Sequence, residues 1–147
     1  MTDGGVVHAL EALARATGLS ALPSQFQAHG RARLEGGQCV IHLERAGDDG
    51  LLLALECPAG DTEAALRVLA AAHWRAEPPA GWLSGLQLGL RGPHHAGRWV
   101  LALRLDGSAL AQWGLADAIA QLQEVALSLD RVAVPAARAG LSGLFLR

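Results

Sequence analysis

The recurrence of large apolar residues at every second position in the second half of the chain is the feature that most restricts the fold. Leu86, Leu88 and Leu90 occupy every second position of one run, and four large apolar residues do so in the run 98–105. A period of two predicts strands that bury one face. Turn-forming residues at 92–97 separate the two runs, so we expect them to form a hairpin.

A helical period follows the hairpin directly. Over the segment 108–130 the apolar residues recur in steps of three and four, which predicts one amphipathic helix, with Ser108 as its N-cap. The residues of this apolar stripe are Leu115, Ala118, Ile119, Leu122, Val125, Ala126 and Leu129.

The first half of the chain predicts a helix, a connector and three strands. The helix covers 4–17, and Gly18 is suited to end it. The connector, 19–28, contains Pro23 and two apolar anchors. The predicted strands cover 30–35, 38–45 and 51–57, and glycine-containing turns separate them. A further helix is predicted from 61 or 62 to about 75.

The resulting order, α-β-β-β-α-β-β-α, predicts an α+β fold, an antiparallel sheet with helices on its faces. We expect one domain over 1–132 and a separate C-terminal tail over 133–147. Pro135 prevents simple continuation of the last helix. The apolar end of this tail either docks on the domain or stays free, and the pattern does not decide between these.

Composition restricts the classes of partner. The chain has 147 residues and a formal net charge of -2, without clusters of basic residues, so nucleic-acid binding has no electrostatic support. No apolar run reaches the roughly 20 residues of a membrane helix, and the N-terminus lacks the positive region of a secretory signal. We therefore expect a cytoplasmic protein. Cys39 and Cys57 are expected to be reduced and buried as small apolar residues.

Residues that could carry chemistry are few and poorly placed. His94 and His95 lie in a predicted turn without a third ligand nearby, which favours a solvated turn over a metal site. Cys39 and His42 fall on opposite faces of one predicted strand. The chain has neither a phosphate-binding glycine loop nor a nucleophile elbow. We therefore expect no enzymatic activity, no cofactor and no metal.

The four tryptophans carry a different signal. Trp99 is predicted to fill the core. Trp74 and Trp82 bracket a proline-rich bend, where half-exposed aromatic residues are typical of protein interfaces. For these two residues both interpretations, interface and core, remain open.

The order of elements and several local sequences resemble the class I type III secretion chaperone family, the Tir-chaperone-like group of small bacterial proteins. The segments that carry the resemblance are 51–58 (Leu-Leu-Leu-Ala-Leu-Glu-Cys-Pro), the predicted helix 63–74, the strands 86–90 and 100–105, and 117–122 (Asp-Ala-Ile-Ala-Gln-Leu). The similarity covers about 6–130.

This resemblance implies a cytoplasmic homodimer, associated with bacterial virulence, that has no enzymatic activity. Such a protein binds the N-terminal region of a secreted effector in extended form and keeps it soluble and competent for secretion. The resemblance places the dimer interface at Trp82, Leu86, Leu88 and Leu90. It places effector binding on apolar patches of the first helix and strands, where the effector can also add a strand to a sheet edge. The residues concerned are Leu10, Leu13, Leu22, Phe26, Leu34 and Val40.

Two other functions are compatible with the same residues. One is a small-ligand-binding or enzymatic α+β domain that uses His42, His73 or His94 in a cleft. The other is a structural adaptor whose apolar tail docks into a larger assembly.

Overall fold

The sheet is antiparallel throughout and has helices packed against it, so the predicted α+β class is confirmed. The structure is a computed structural model that describes residues 4–58, 86–91, 97–129 and 145–146. Its helices are α1 (Gly4–Thr17), α2 (Leu22–His29), α3 (Gly107–Trp113) and α4 (Leu115–Leu129). Its strands are β1 (Arg31–Gly36), β2 (Cys39–Ala46), β3 (Gly50–Pro58), β4 (Gln87–Arg91), β5 (Arg98–Leu105) and β6 (Phe145–Leu146), in the sheet order β4-β5-β3-β2-β1-β6.

Several predictions fall on residues outside the described part. They are the helix predicted to end near 75, the metal or interface roles of His73, Trp74, Trp82, His94 and His95, and most of the tail.

The strands follow their predicted limits closely because period-two patterning is strong. β1, β2 and β3 begin and end within one residue of the prediction, and β5 matches it. Two hairpin turns use glycine in the left-handed region, Gly37 with φ 60° and Gly47 with φ 71°, which other residues rarely adopt.

Helix α2 lies where a connector was predicted, so that prediction is wrong for Leu22–His29. Pro23 sits in its first turn, where a missing N–H costs no helical hydrogen bond. Leu22 and Phe26, one turn apart, are both buried. Gly30, with φ 68°, ends the helix and donates its N–H to the Phe26 carbonyl at 2.7 Å. An eight-residue helix offers too few turns for its period to be recognised.

The single helix predicted over 108–130 is two helices. Gly114, with φ 77° and ψ 155°, breaks the segment between α3 and α4. The N-cap is Asp106, whose carboxylate accepts a hydrogen bond from the Ala109 N–H at 2.7 Å, so the prediction of Ser108 is also wrong. Aspartate and serine cap equally well, and the chain uses the earlier of the two.

The core lies between one face of the sheet and the helices. α2 packs on β1, and α4 packs on β3 and β5. Trp99 is 1% exposed, which confirms its prediction as a core residue. In β1, β2, β3 and β5 the residues of this face are buried and those of the opposite face are half-buried or exposed, except near one end of β2 and β3, where Arg45 is exposed and Gly50 is buried. The described helices therefore cover one face of the sheet only.

The last described residues of the tail form β6 at the edge of the sheet. Leu146 pairs with Leu34 and Phe145 with Glu35, in antiparallel register. Leu146 is partly buried against the core. At these two residues the tail is docked.

Cys39 and Cys57 form a disulfide, so the expectation of reduced thiols is wrong, whereas their predicted burial is confirmed. The two cysteines occupy the cross-strand position that follows the Val40–Glu56 pair of β2 and β3. Their Cα atoms are 4.4 Å apart, a spacing typical of a non-hydrogen-bonded pair of residues in antiparallel strands. Only the strand register brings the two cysteines together.

Reduction of this disulfide is expected to lower the free energy of unfolding by about 3 kcal/mol, because the bond closes a loop between residues 18 apart in sequence. Urea unfolding with and without a phosphine reductant measures the change. A variant with alanine at both cysteines is the control and should not respond to reductant. Two titratable thiols in the denatured, unreduced protein would contradict the bond. Disulfides persist mainly in oxidising compartments, so the thiol count also bears on the expected cytoplasmic location.

Candidate polypeptide-binding surface

Five of the six residues predicted to bind a partner lie inside the core. Their exposed fractions are 2% or less: Leu10 1%, Leu13 1%, Leu22 0%, Phe26 2% and Leu34 0%. The apolar sides of α1, α2 and β1 face one another, so these side chains form no surface patch, and the expectation of an exposed patch is corrected. Partner binding by these elements stays a prediction. Replacement of Phe26 by alanine would weaken the core itself and would not isolate a binding contact.

The remaining predicted contacts are arranged differently. Val40 is half-buried on the opposite face of the sheet. Leu86 precedes β4 and packs against the core. Leu88 and Leu90 are residues of β4, which is the outermost strand on its side of the sheet. In the described part of the chain, β4 therefore has a strand partner on one side only.

The face of the sheet that no described helix covers is rich in arginine, and we call it the arginine face. Its charged members are Arg31, Arg33, Glu35, His42, Glu44, Glu56, Arg91, Arg98 and Arg104. With five arginines and three glutamates this face has a net charge of +2, leaving His42 neutral. The other described residues carry two arginines and six acidic residues, a net charge of -4. Charge is thus separated between the two sides of the domain.

Small apolar residues form the middle of the arginine face. The register sets Val40 and Val100 on either side of Glu56, and sets Ala54 beside Ala102. An open depression of about 280 Å³ lies at one end of this face. Its lining residues are Arg33, Glu35, Gly37, Gln38, Cys39, Val40, Glu56 and Arg98.

Glu56 is the centre of an ionic cluster on this face, and its side chain is 13% exposed. Its carboxylate accepts a hydrogen bond from Arg98 Nε at 3.1 Å and lies 3.3 Å from His42 Nε2. Arg91 Nη1 is 3.7 Å away. Arg98 also donates from Nη2 to the Gln38 carbonyl at 2.9 Å, so the cluster ties β5 to β3 and to the turn before β2.

The surroundings of Glu56 favour its ionised form. Burial raises the pKa of the Glu56 carboxyl, but the hydrogen bond with His42 and the positive charges of Arg98, Arg91 and His42 outweigh it. The pKa is therefore lower than its ordinary value of 4.5. Glu56 thus acts as a fixed negative charge around which the side chains of Arg98, Arg91 and His42 are arranged.

Sequence reasoning missed the arginine face, although a signal for it was present. Four of the seven residues of β1 and β5 that alternate with the buried ones are arginines, namely Arg31, Arg33, Arg98 and Arg104, and alternation alone puts them on the opposite side. Their meeting with Glu56 depends on the order β4-β5-β3-β2-β1, which local patterns do not contain.

Within the described ranges, no three histidine, cysteine or acidic side chains are grouped in a way that could hold a metal ion. None of the helices that the structure describes is long and apolar enough to cross a membrane.

Comparison with known protein families, with curated proteins and with solved structures finds no match. The resemblance to type III secretion chaperones therefore stays a prediction that rests on the segments quoted above.

Replacement of Glu56 by glutamine is expected to destabilise the fold by about 1–3 kcal/mol at neutral pH, the usual contribution of hydrogen bonds to a charged group. Because the folded pKa is lowered, the stabilisation is present above the ordinary value of 4.5 and is lost as the pH falls below it. Urea unfolding of both proteins between about pH 7 and pH 3 measures this. Glu11→Gln, on the exposed side of α1, is the control. A difference that is independent of pH would contradict the role of the Glu56 charge.

Proposed function

We propose that this chain is a chaperone of the type III secretion kind. It binds the N-terminal region of a secreted effector in extended form and keeps it soluble and competent for secretion. It acts as a homodimer in the bacterial cytoplasm and catalyses no reaction. In this proposal the two edges of the sheet have different roles. The β1 edge binds the partner segment, and the β4 edge binds the second copy of the chain.

The pairing of β1 with β6 is the single observation that carries the proposal. An extended apolar segment, Phe145–Leu146, lies along the outer edge of β1 in antiparallel register. β6 has two residues, so residues 31–33 have no strand partner on their outer side in the described part of the chain. Addition of a strand to such an edge supplies main-chain hydrogen bonds, and alternate side chains supply specificity.

The other edge supports the homodimer. β4 has the sequence Gln-Leu-Gly-Leu-Arg, without the proline or lysine that commonly protects an exposed edge from pairing. A second copy that pairs with this edge would satisfy its outward main-chain groups in a symmetric contact. The expected interface residues are those implied by the family: Trp82, Leu86, Leu88 and Leu90.

If β6 occupies the partner site, weakening it should strengthen partner binding. Leu146→Asp places a charge where an apolar side chain packs against the core, so β6 should pair less. We expect a rise in affinity of about threefold to tenfold for a labelled N-terminal peptide of the partner, because a larger fraction of the protein has a free β1 edge. Fluorescence anisotropy measures the affinity, and Val7→Asp, on an exposed apolar residue of α1, is the control. An unchanged or lower affinity would place the partner elsewhere.

The dimer can be tested by light scattering after size-exclusion chromatography. The chain mass is 15.3 kDa, so a dimer should have twice that mass. Leu88→Asp is expected to give a monomer or an aggregate, because Leu88 is a predicted interface residue and a charge buried there opposes association, whereas Gln87 is exposed and outside the predicted interface. Gln87→Asp, on the same strand, is the matched control. A strict monomer for the unaltered protein would rule out the dimer.

The partner itself is sought by co-expression with a secreted protein encoded next to this chain, followed by pull-down and limited proteolysis. The complex should protect a stretch near the N-terminus of that protein. Co-purification without any protected stretch would not fit a chaperone that holds an extended segment.

A further inference from the structure

We infer that the β1 edge selects partner segments in which acidic residues alternate with apolar ones. This inference rests on the proposed function, because it specifies the chemistry of the segment that the β1 edge would bind.

The two sides of β1 differ sharply in character. Ala32 is 7% exposed and Leu34 is 0% exposed, and both face the core. Arg31 and Arg33 point to the arginine face and are exposed. A strand added to this edge places its own side chains alternately on the same two sides. β6 illustrates the core side, where Leu146 stands opposite Leu34.

The arginines of β1 have capacity for a further partner. Arg31 makes no ion pair within the part of the chain that the structure describes. The Arg33 side chain is 50% exposed, and Nη2 contacts Glu35 Oε1 of the same strand at 3.0 Å. Residues directly opposite one another in antiparallel strands have Cβ atoms about 5 Å apart, so opposite charges attract and like charges repel. Acidic side chains opposite Arg31 and Arg33 would therefore favour pairing.

The electrostatic field of the whole arginine face is positive, as it is at Arg31 and Arg33. Beyond β1, the arginine face exposes Arg104 and also Arg91, whose side chain is 73% exposed. A face of net positive charge attracts acidic segments and raises their rate of association. The β1 edge also offers main-chain groups for strand pairing and an apolar side at Leu34, which a peptide strand can match and a nucleic acid cannot. An acidic polypeptide therefore fits this edge better than a nucleic acid does.

The register turns this chemistry into a pattern. Along the partner strand, the residue opposite Leu34 is apolar and the next, opposite Arg33, is acidic. The residue opposite Ala32 is apolar, and the one opposite Arg31 is acidic. The expected recognition sequence is thus apolar-acidic-apolar-acidic, read in the direction of β6.

Two fluorescein-labelled peptides of equal length test the inference, one in which valine alternates with aspartate and one in which valine alternates with lysine. Fluorescence anisotropy with the full chain should show that the aspartate peptide binds about tenfold more tightly, the combined effect of two cross-strand charge pairs attracting in one peptide and repelling in the other. The preference should shrink at high salt, because exposed charges are screened.

Charge reversal on β1 provides the decisive variants. Arg31→Glu breaks no ion pair in the described part and should reduce the preference for aspartate. Addition of Arg33→Glu should reverse it in favour of lysine. Arg15→Glu makes the same change of charge on an exposed position of α1 and should leave the preference unaltered. Circular dichroism checks that each variant is folded.

The outcomes separate this inference from the proposed function. Equal binding of both peptides, with affinities that still rise in Leu146→Asp, would overturn charge selection and leave edge binding intact. No binding of either peptide at about millimolar concentration, where even a free energy near -4 kcal/mol would be visible, would overturn both. If Arg15→Glu reduced the preference for the aspartate peptide as much as Arg31→Glu does, the effect would be one of general charge, and the inference would also be overturned. A single-stranded oligonucleotide that binds as tightly as the aspartate peptide would likewise overturn the inference.

Discussion

The burial of one face of the sheet under the helices is the constraint on which the rest of the structure depends. A continuous row of apolar side chains, Leu34, Ile41, Leu55 and Leu101, crosses four neighbouring strands, and each residue is at most 1% exposed. A slip of one residue in any strand would turn its leucines to water and its charged residues to the core. The register that buries these leucines therefore also places the arginines together on the other face and brings Cys39 beside Cys57. The surface chemistry of this protein is a consequence of its core.

Local patterns predicted the strands well, because each strand carries its own period of two. They did not predict α2, whose eight residues hold too little periodicity, nor the break at Gly114, which interrupts the helical segment without interrupting its apolar stripe. The sheet order, the disulfide and the cluster around Glu56 all require knowledge of which strands are neighbours. Residues that meet there are distant in sequence: Arg98 and Glu56 are 42 residues apart. No short-range signal encodes such a meeting.

The candidate site shows a more specific limit of prediction from the sequence. Apolar residues such as Leu22 and Phe26 were expected to contact a partner, yet the same hydrophobicity that suits a binding patch drives burial whenever a neighbouring element can cover it. Here α1 and β1 pack against α2 and supply that cover. Hydrophobicity alone therefore cannot separate core from interface. The edges of the sheet can indicate an interface, because an unpaired strand retains main-chain donors and acceptors that a further strand satisfies.

The pair of strands β2 and β3, at the centre of the sheet, is held much more firmly than the outer edge of β1. The strands β2 and β3 are joined on the core side by the Cys39–Cys57 bond and on the opposite side by the contact of Glu56 with His42. Arg98 of β5 adds a hydrogen bond to Glu56. Among the described residues, two of β6 hold the outer edge of β1. Elements that exchange with a partner are drawn from the least stable parts of a fold, and a two-residue strand has few hydrogen bonds to lose. A rigid centre with a lightly held strand at its edge is the arrangement that the proposed binding requires, because one extended segment would have to replace another without unfolding the domain.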